Sequence, residues 1–581
     1  MAVFIADFET TTNKKNCRVW AWAAVELGRN DVKIGTNIND FFDFCSTPKE
    51  NHRILFHKLE FDGQFLISWL LEYGFTHTTD PADRATRTFN TLISAEGLVY
   101  QIEVIFYKHG KNINKVTFWD SKKLIPLSVE KIADAFRLER KKLKIDYSAH
   151  NDTPPDTPLT PEEEEYIKND VLIVAEAVNQ FYSLGFNRMT IGSCAMQEYK
   201  KSMPYKTFTR LFPTLTQECF RDLKQAYRGG WCYVVPELAN VEISEGVVLD
   251  CNSIYSDAMR NKLLPWGRPL FYRGQYKQDN SYPLFTQMIR CSFDIKPGKL
   301  PTVQQHFAYN NRASEYITSS NGEEMVLYLN CVDLDLFFEH YDVYNLEYIA
   351  GWKFRGAVGL FSKYIDKWTD IKIEAKKEEN WGLYNLAKFF LNCLYGKFGT
   401  NQKRRSKIPQ LTKRGVVKYN NSAVNYGDGV YLPVASFITS YAREKTIRAA
   451  QKITDDYNTG VSNIRFVYGD TDSMHCEAPG QKTPEGIEID QYKLGAWKVE
   501  SKFKRAKYIR QKCYMEYSTE DIESLEPEYK NKITVAGMPE DCKKDVTFDN
   551  FQIGAQFRGR LRPHTVQGGV ILEEIGFTIN A

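Results

Sequence analysis

The feature that most constrains this chain is a pair of aspartates at the tip of a short apolar segment, FVYGDTDSMH (residues 466–475). The β-branched and aromatic residues before them predict a strand, and Gly469 with Asp470 to Asp472 predicts a tight turn. An acidic hairpin turn without function is the alternative, because aspartate is common in turns. The two interpretations differ in whether other acids of the chain meet this turn.

The length of the chain excludes a single hydrophobic core. A chain of 581 residues predicts roughly three to five domains, and its 43% hydrophobic and 26% charged residues are typical of a soluble globular protein. Its twelve cysteines show no C-x-x-C spacing, which argues against a zinc knuckle or a disulfide framework and favours a reducing cytoplasm. Because no apolar run approaches ~18 residues and the first residues lack the apolar core of a signal peptide, we expect no membrane partner.

The positive charge of the chain is local. The net charge is only +3, yet basic residues concentrate at residues 139–147, 401–418 and 501–514. One such segment is usually a solvated face. Three of them in a chain of otherwise balanced charge favour a phosphate backbone as the partner, and the 14% aromatic content adds side chains that can stack on bases.

Three carboxylates of the N-terminal third accompany apolar segments. VFIADFETTT predicts a strand, and because side chains alternate along a strand, Asp7 and Glu9 share one face. Asp62 comes at the end of a second apolar segment, where the alternative is a turn aspartate before Gly63. Two carboxylates on one face at a strand end can hold hard divalent cations.

A fourth carboxylate lies on a strongly predicted helix. Thr160 is the N-cap, Glu163 completes a capping box and Gly185 ends the helix. Tyr166 and Asp170 share its apolar face, so Asp170 points toward the core and needs a partner such as a metal ion. With the three acids above, the pattern indicates a two-metal nuclease site in which Tyr166 orients the attacking water.

A further acid, Asp250, ends the predicted strand GVVLD and could join the two aspartates of the turn. On adjacent strands, Asp250, Asp470 and Asp472 would repel one another unless divalent cations neutralise them. Phosphoryl transfer needs such cations, so this cluster predicts a nucleotidyl-transfer site.

A predicted helix at 380–398 offers the cationic partner that a triphosphate needs. Lys388, Asn392 and Tyr395 fall on one face of it, which suits a nucleotide-facing surface. Taken alone, this helix is as well explained as an ordinary amphipathic helix with one charged stripe.

Six ordered motifs in these segments carry a family resemblance. DFETTT, FHKLEFDG and YIKND resemble the three exonuclease motifs of the family B DNA polymerases, and DCNSIYS, LAKFFLNCLYGKF and YGDTDS resemble their three polymerase motifs. AYRGG, FITSYAR and RQKCY resemble further elements of the protein-primed branch. Over essentially its whole length the chain is similar to phi29-like phage polymerases of that branch.

The resemblance implies a multidomain fold of α/β and α+β type. It joins an RNase H-like 3′-5′ exonuclease domain to a right-hand polymerase of palm, fingers and thumb, with two insertions special to the branch. The implied segments are 1–190 (exonuclease), 191–261 (palm), 262–359 (first insertion, TPR1), 360–399 (fingers), 400–432 (second insertion, TPR2), 433–537 (palm) and 538–581 (thumb).

The resemblance also implies a role for each matching residue. The implied metal ligands are Asp250 and Asp472, supported by Asp470, in the polymerase site, and Asp7, Glu9, Asp62 and Asp170 in the exonuclease site, where Tyr166 is also catalytic. The implied dNTP-binding residues are Ser253, Tyr255 as the steric gate, Lys372, Lys388, Asn392 and Tyr395. The implied DNA-binding residues are His57, Phe65, Ser121, Lys142, Tyr227, Gly229, Gly230, Thr439, Arg443, Lys512 and Tyr514.

The implied activity is template-directed DNA synthesis with 3′-5′ proofreading, strand displacement and protein-primed initiation of linear phage genomes. Two Mg²⁺ ions, replaceable by Mn²⁺, serve each site. The implied partners of this monomer are primer-template DNA, single-stranded DNA, dNTPs and a terminal protein, in the cytoplasm of a bacterial host. The alternatives are an exonuclease with a vestigial polymerase part, and a non-catalytic single-strand-binding protein.

Three residues depart from the family pattern. Lys58 stands where the second exonuclease motif has Asn, and it could pair with a nearby acid or displace a metal ion, which would weaken the exonuclease. Lys122 replaces an apolar residue beside Ser121. Tyr384 replaces a lysine, which removes one cation from the dNTP pocket and leaves its charge to Lys372 and Lys388.

Overall fold

A computed structural model describes residues 1–47, 51–305, 315–427, 429–520 and 527–580. Its N-terminal region is built on an eight-stranded sheet. The strands are β1 (Ala2–Thr10), β2 (Val19–Glu26), β3 (Val32–Gly35), β4 (His52–Phe56), β5 (Thr76–His77), β6 (Thr88–Ile93), β7 (Val99–His109) and β8 (Asn112–Asp120). The helices are α1 (Ile38–Ser46), α2 (Leu59–Glu72), α3 (Val129–Ala135) and α4 (Pro161–Ser183).

The strand order β3-β2-β1-β4-β8-β7-β6-β5 places β1, β4 and β8 side by side and parallel. Their carboxyl ends therefore meet at one edge of the sheet. Helix α4 packs against β1 and β2 and buries Ile167, Val171 and Val174. The predicted capping box is present, because the Thr160 hydroxyl accepts from the Glu163 amide and the Glu163 carboxylate accepts from the Thr160 amide.

The next region begins with α5 (Ile191–Lys201), α6 (Tyr205–Leu211) and α7 (Gln217–Ala226), followed by β9 (Cys232–Val234), β10 (Glu242–Ile243), β11 (Gly246–Cys251) and α8 (Ile254–Asn261). Then come β12 (Leu264–Arg273), β13 (Leu284–Ile295), β14 (Gln304–Gln305), β15 (Glu315–Tyr316), β16 (Met325–Asn330), α9 (Cys331–His340) and β17 (Tyr341–Ala357). Strands β12, β17, β13 and β16 form a sheet of their own, in that order, within the predicted first insertion.

Two helices and a set of short strands follow: α10 (Ser362–Lys377), α11 (Trp381–Phe398), β18 (Lys403–Arg404), β19 (Lys407–Leu411), β20 (Val417–Asn421) and β21 (Asn425–Tyr426). The last elements are α12 (Leu432–Asn458), β22 (Arg465–Asp470), β23 (Ser473–Glu477), β24 (Trp497–Arg510), β25 (Cys513–Thr519), β26 (Lys530–Val535), α13 (Glu540–Lys543), β27 (Gln556–Val566) and β28 (Gly569–Thr578).

A second eight-stranded sheet joins segments from both halves of the chain. Its order is β26-β25-β24-β11-β23-β22-β9, with β10 paired to β24. Strand β11 therefore lies between strands that come more than two hundred residues later. The sheet and its covering helix α12 form the palm expected from the resemblance, while the exact domain boundaries stay predictions.

Two distant parts of the chain pack on helix α2. Val417 of β20 and Val570 of β28 belong to the same buried cluster as Phe65. The Tyr419 hydroxyl donates to Gln64 Oε1 at 2.6 Å. The hairpins β19–β20 and β27–β28 are thus both anchored to the N-terminal region. Within the ranges given above, no helix is long and apolar enough to cross a membrane.

Candidate active sites

A cavity of about 440 Å³ opens between β1, α2 and α4, with Leu561 and Ile571 of the β27–β28 hairpin on its rim. The structure brings together here every residue predicted for the nuclease chemistry. Its lining includes Asp7, Glu9, Asp62, Tyr166, Asp170, Lys142, Tyr147, His57, Lys58 and Phe61.

Local geometry explains why the acids converge. Asp7 and Glu9 are two apart on β1 and line the same cavity. Asp170 lies on α4, one turn beyond Tyr166. Asp62 differs from the prediction: β4 ends at Phe56, and Asp62 lies in the first turn of α2 rather than at the end of an apolar segment. Its carboxylate still enters the cavity, because that turn begins at the edge where β1 and β4 end.

The cavity disfavours the ionised form of its acids. Burial, followed by the repulsion of Asp170, raises the pKa of Asp7 to about 7. Burial, followed by the repulsion of Asp7, holds the pKa values of Glu9 and Asp62 well above their usual range. Burial also raises the pKa of Asp170, although Lys142 opposes that effect.

Lys142 is the cation that the chain itself places in this cavity. Its ammonium forms an ion pair with Asp170 Oδ2 and donates to the Tyr166 hydroxyl at 3.2 Å. The hydroxyls of Tyr166 and Tyr147 lie 3.0 Å apart. The sequence analysis did not single out Tyr147, although it closes the basic segment 139–147.

The donor set fits divalent cations. In the part of the chain that the structure describes, no three carboxylate, imidazole or thiol groups lie close enough together to hold a metal ion. Lys142 lies beside Asp170 instead. Yet the second oxygen, Asp170 Oδ1, is buried without a hydrogen-bond partner. A cation would stabilise a buried carboxylate oxygen beside three other acids, and oxygen-only ligands suit Mg²⁺ or Mn²⁺.

His57 and Ser121, both predicted to bind DNA, contact each other. His57 Nδ1 lies 3.0 Å from Ser121 Oγ, and His57 Nε2 lies 2.7 Å from the Leu127 carbonyl. Burial lowers the pKa of His57 to about 4. The prediction for Phe65 is wrong: Phe65 is 1% exposed and packs against Gly569, whereas Phe61, one turn earlier on α2, lines the cavity. Their spacing of four residues puts both on neighbouring positions of one helix.

Lys58 lines the cavity in a left-handed conformation with φ +88°. Its amide donates to Asp120 Oδ1 at 3.0 Å, and its charge lowers the pKa of Asp62 against the larger effects of burial and Asp7. Asparagine adopts this backbone conformation far more readily than lysine. Lys122 lies close enough to His57 to lower its pKa as well.

The second carboxylate cluster lies on the palm sheet. Ser473 of β23 pairs with Asp250 of β11 on one side and with Asp470 of β22 on the other. The Cys251 amide donates to the Asp472 carbonyl at 2.7 Å. Burial, followed by the repulsion of Asp250, raises the pKa of Asp472 to about 6. The structure thus brings together the three acids that the sequence predicted to meet.

Hydrogen bonds with residues of other segments fix the turn that carries these aspartates. Thr471 has φ +64°, its amide donates to the Trp231 carbonyl at 2.7 Å, and its carbonyl accepts from Thr446 Oγ1 at 2.7 Å. A Cβ on Gly230 would collide with the Thr471 side chain, so this glycine serves the turn. Gly469 lies within β22 against Trp231, not in the turn as predicted.

Two lysines act as counter-ions for this cluster. Lys512, predicted to bind DNA, places its Nζ 2.6 Å from Asp470 Oδ1. Lys498 Nζ lies 3.0 Å from Asp250 Oδ2. Sequence reasoning missed Lys498, because nothing close to it in the chain indicates that β24 pairs with β11.

The predicted nucleotide pocket borders this cluster. Ser253 caps α8 in a left-handed conformation, and the ring of Tyr255 stacks on Tyr395 with centroids 4.1 Å apart. Lys388 and Asn392 are exposed on α11. Burial and the charges of Lys498, Lys388 and Lys376 lower the pKa of the half-buried Lys372. The ring of Tyr384, which replaces a lysine, lies edge-on to Trp381.

Three further DNA-contact predictions do not match this conformation. Thr439 is buried on α12, and Tyr514 is buried among the tyrosines of the palm core. Arg443 is 4% exposed; it pairs with Asp333 at 2.5 Å and donates to the carbonyls of Arg228 and Gly229. Its partner comes from the first insertion, 110 residues earlier, which no local pattern reveals.

The remaining predicted contacts, Tyr227 and Gly229, follow helix α7 in the chain. Tyr227 is half-buried with its hydroxyl against Gly399, and Gly229 is exposed with open space around it. Arg443 fixes this segment through the carbonyls of Arg228 and Gly229.

Known proteins resemble the chain over its full length. The family of organellar and viral type B DNA polymerases matches residues 44–484. The DNA polymerases of Bacillus phages Nf and phi29 are each 40% identical to it, over 592 and 589 residues and 99% of both chains. Phi29 DNA polymerase complexed with primer-template DNA and incoming nucleotides superposes with a TM-score of 0.91 at 39% identity, covering 100% of both chains. The chain therefore belongs to the organellar and viral type B DNA polymerases, in their phi29-like phage group, and is a DNA-directed DNA polymerase.

Proposed function

We propose that this polymerase extends a DNA primer at Asp250, Asp470 and Asp472 by two-metal phosphoryl transfer, and removes mispaired 3′ ends in the N-terminal cavity. One observation carries the proposal. The chain builds two separate carboxylate clusters, each beside its own lysine counter-ions and its own tyrosines.

Asp250 and Asp472 are the proposed metal ligands of the polymerase site, and Asp7, Glu9, Asp62 and Asp170 are those of the exonuclease site. Two Mg²⁺ ions per site, or Mn²⁺ in their place, would supply Lewis-acid stabilisation of phosphoryl oxygens and lower the pKa of the attacking hydroxyl or water. The raised pKa values of Asp7 and Asp472 support this assignment, because they show that the ionised carboxylates repel one another, and a bound divalent cation would relieve that repulsion.

In the polymerase site the chain binds and selects the nucleotide. The ring of Tyr255, fixed by its stacking on Tyr395, forms a wall where a ribose 2′-hydroxyl would have to fit. Lys372 and Lys388 supply point charges for the triphosphate, and the exposed Asn392 lies on the same helical face as Lys388.

In the N-terminal cavity the Tyr166 hydroxyl orients the attacking water. Its hydrogen bonds with Lys142 and Tyr147 fix the direction of that hydroxyl. Phe61 offers a ring on which the terminal base of a single strand can stack, and the His57–Ser121 pair lies beside it.

The two hairpins anchored to α2 suggest how the enzyme encloses DNA. The contacts of Tyr419 and Val570 with the N-terminal region would close a ring, which supports processive synthesis with strand displacement. The solved phi29 complexes with single-stranded and primer-template DNA support the same DNA partners here. We further propose that a terminal protein engages residues 262–359, and that the enzyme acts as a monomer in the cytoplasm of a phage-infected bacterium.

The substitution Asp472→Asn tests the central assignment. We expect nucleotide incorporation in single-turnover primer extension to fall at least about a thousandfold, with primer-template binding unchanged. Asp456→Asn, which removes a carboxylate paired with Lys452, is the control and should synthesise DNA normally. Near-normal synthesis by Asp472→Asn would contradict the metal assignment, and a wild-type chain that binds DNA without extending it would favour a non-catalytic binding protein.

A further inference from the structure

Lys498 is the cation of the polymerase site that has no assigned role. It lies on β24 directly opposite Asp250 of β11, with its ammonium 3.0 Å from Asp250 Oδ2. Its side chain is 31% exposed, so the ammonium can reach both the carboxylate and the open side of the site. An ion pair this exposed contributes little to stability, which leaves room for a functional explanation.

The backbone around Lys498 is fixed to the same strand that carries Asp250. The Asn252 amide donates to the Ala496 carbonyl, and the Gly495 amide donates to the Asn252 carbonyl, both at 2.9 Å. The buried Trp497 pairs with Cys251. The position of Lys498 relative to Asp250 is therefore set by the sheet, and only its flexible side chain is free to change partner.

Lys498 also belongs to a group of lysines around the nucleotide pocket. Its charge, with those of Lys388 and Lys376, acts on Lys372 of α10. Each of these three charges repels the Lys372 ammonium, and an anion of high charge, such as a triphosphate or pyrophosphate, would relieve that repulsion.

Tyr384 explains why a cation from the palm would be needed. It lies one turn before Lys388 on α11. The ring of Tyr384 packs against Trp381, which in turn lies under the guanidinium of Arg137. The helix therefore uses this position for packing, and α11 supplies no cation there, one turn before Lys388.

The ion pair between Lys498 and Asp250 can be broken when another cation binds Asp250. Asp250 is a proposed metal ligand, and a divalent ion bound to that carboxylate repels the ammonium beside it. The displaced ammonium then needs a new anion within the reach of its side chain. The phosphates that arrive with the metal are such an anion.

We propose that Lys498 is a nucleotide-binding residue of the polymerase site, which Asp250 holds in place until a divalent ion and an incoming triphosphate separate the pair. The inference rests on the proposed two-metal polymerase site. It assigns a phosphate contact to the palm sheet, in a chain that has Tyr384 where the family pattern has a lysine.

The first test measures nucleotide affinity without catalysis. Dissociation constants for dNTP are measured on the full chain with primer-template DNA ending in a dideoxynucleotide and saturating Mg²⁺. We expect Lys498→Met to weaken dNTP binding roughly tenfold and Lys498→Arg to retain most of the affinity. Lys452→Met, which removes a lysine paired with Asp456, is the matched control and should bind as the wild type does.

The second test measures the metal site in the absence of nucleotide. Because Lys498 competes with cations for Asp250, we expect Lys498→Met to bind Mn²⁺ more tightly, by roughly threefold, in a titration followed by electron paramagnetic resonance. A residue that only stabilised the fold would not strengthen metal binding. Thermal unfolding of each variant shows that the chain remains folded.

The third test restores the charge at its alternative position. In the double variant Tyr384→Lys with Lys498→Met, dNTP affinity should recover most of the loss. Unchanged dNTP affinity in Lys498→Met would overturn the inference while leaving the polymerase site intact. A wild-type enzyme that binds no dNTP under these conditions would instead remove the proposed function itself.

Discussion

The N-terminal cavity and the palm site are both carboxylate clusters, but the chain neutralises them to different degrees. In the palm, Asp250 and Asp470 each have a lysine of their own. In the cavity, Lys142 pairs with Asp170, while burial and mutual repulsion keep the pKa values of Glu9 and Asp62 well above their usual range. The palm cluster is thus partly neutralised by the chain's own lysines, and we expect the cavity to depend more strongly on a metal ion.

This difference has a physical origin in burial. Glu9, Asp62 and Asp170 are each 5% exposed or less, so water cannot screen their charges. Asp250 is 23% exposed and faces the open side of the palm sheet. This difference agrees with the proposed functions, because a site that accepts a bulky nucleotide has to be open, whereas a site for the end of a single strand can be more enclosed.

The largest expected effect separates the two sites completely. The double substitution Asp7→Asn with Glu9→Gln should reduce degradation of a single-stranded primer at least about a thousandfold, because it removes two of four proposed metal ligands. Primer extension should stay within about twofold of the wild type. Loss of both activities in this variant, with the fold intact, would mean that the two clusters are not independent.

A smaller effect is expected at Tyr255, whose ring is proposed to exclude a ribose 2′-hydroxyl from the palm site. Tyr255→Val should admit ribonucleotides about a hundredfold more readily, because the ring stacked on Tyr395 is gone. Tyr255→Phe keeps the ring and serves as the control. The measurement is the ratio of incorporation efficiencies for dNTP and rNTP, and an unchanged ratio in Tyr255→Val would place the sugar discrimination elsewhere.

The cavity should also respond more strongly to pH than the palm does. The pKa of Asp7 is about 7 in the folded chain and close to 4 when unfolded, so the folded state binds more protons between these values. Its contribution to stability is complete below about pH 4 and is lost as the pH rises through about 7. In EDTA, the unfolding temperature of the wild type should fall by about 3 °C more than that of Asp7→Asn between pH 5 and pH 7.5.

Magnesium provides the control for this expectation. Because a divalent ion favours the ionised carboxylates, adding Mg²⁺ at pH 7.5 should raise the unfolding temperature of the wild type more than that of Asp7→Asn. If the unfolding temperatures of the two proteins fall equally with pH in EDTA, the pKa of Asp7 is not raised in the folded chain.

The smallest effect is expected for Lys58. Lys58→Asn should increase degradation of a single strand about threefold, because it removes a cation beside Asp62 and puts a residue that favours positive φ at a position with φ +88°. Primer extension should not change. If the wild-type chain already degrades single strands as fast as Lys58→Asn, the lysine does not weaken the exonuclease.

Several parts of the fold follow from local sequence alone. The capping box of Thr160 and Glu163 begins helix α4 where predicted, and Asn380 caps α11. Strand alternation puts Asp7 and Glu9 into one cavity. These features depend on hydrogen bonds and periodicities within a few residues, which a single segment contains in full.

Other parts depend on partners far away in the chain. Phe61, not Phe65, lines the cavity, because the β27–β28 hairpin covers the other ring. Arg443 is buried, because Asp333 of the first insertion neutralises it. No local signal distinguishes the two phenylalanines or reveals the partner of the arginine.

Sequence patterns alone predict the acids proposed to carry the chemistry, the helices and strands that hold them, and the ordered motifs that identify the family. Tertiary structure alone decided which charges meet. The Lys498–Asp250 pair exists because the palm sheet inserts β11 between strands formed by residues more than two hundred positions later. Charge balance at a site depends on distances across the sheet, and those distances are fixed only when the whole chain has folded.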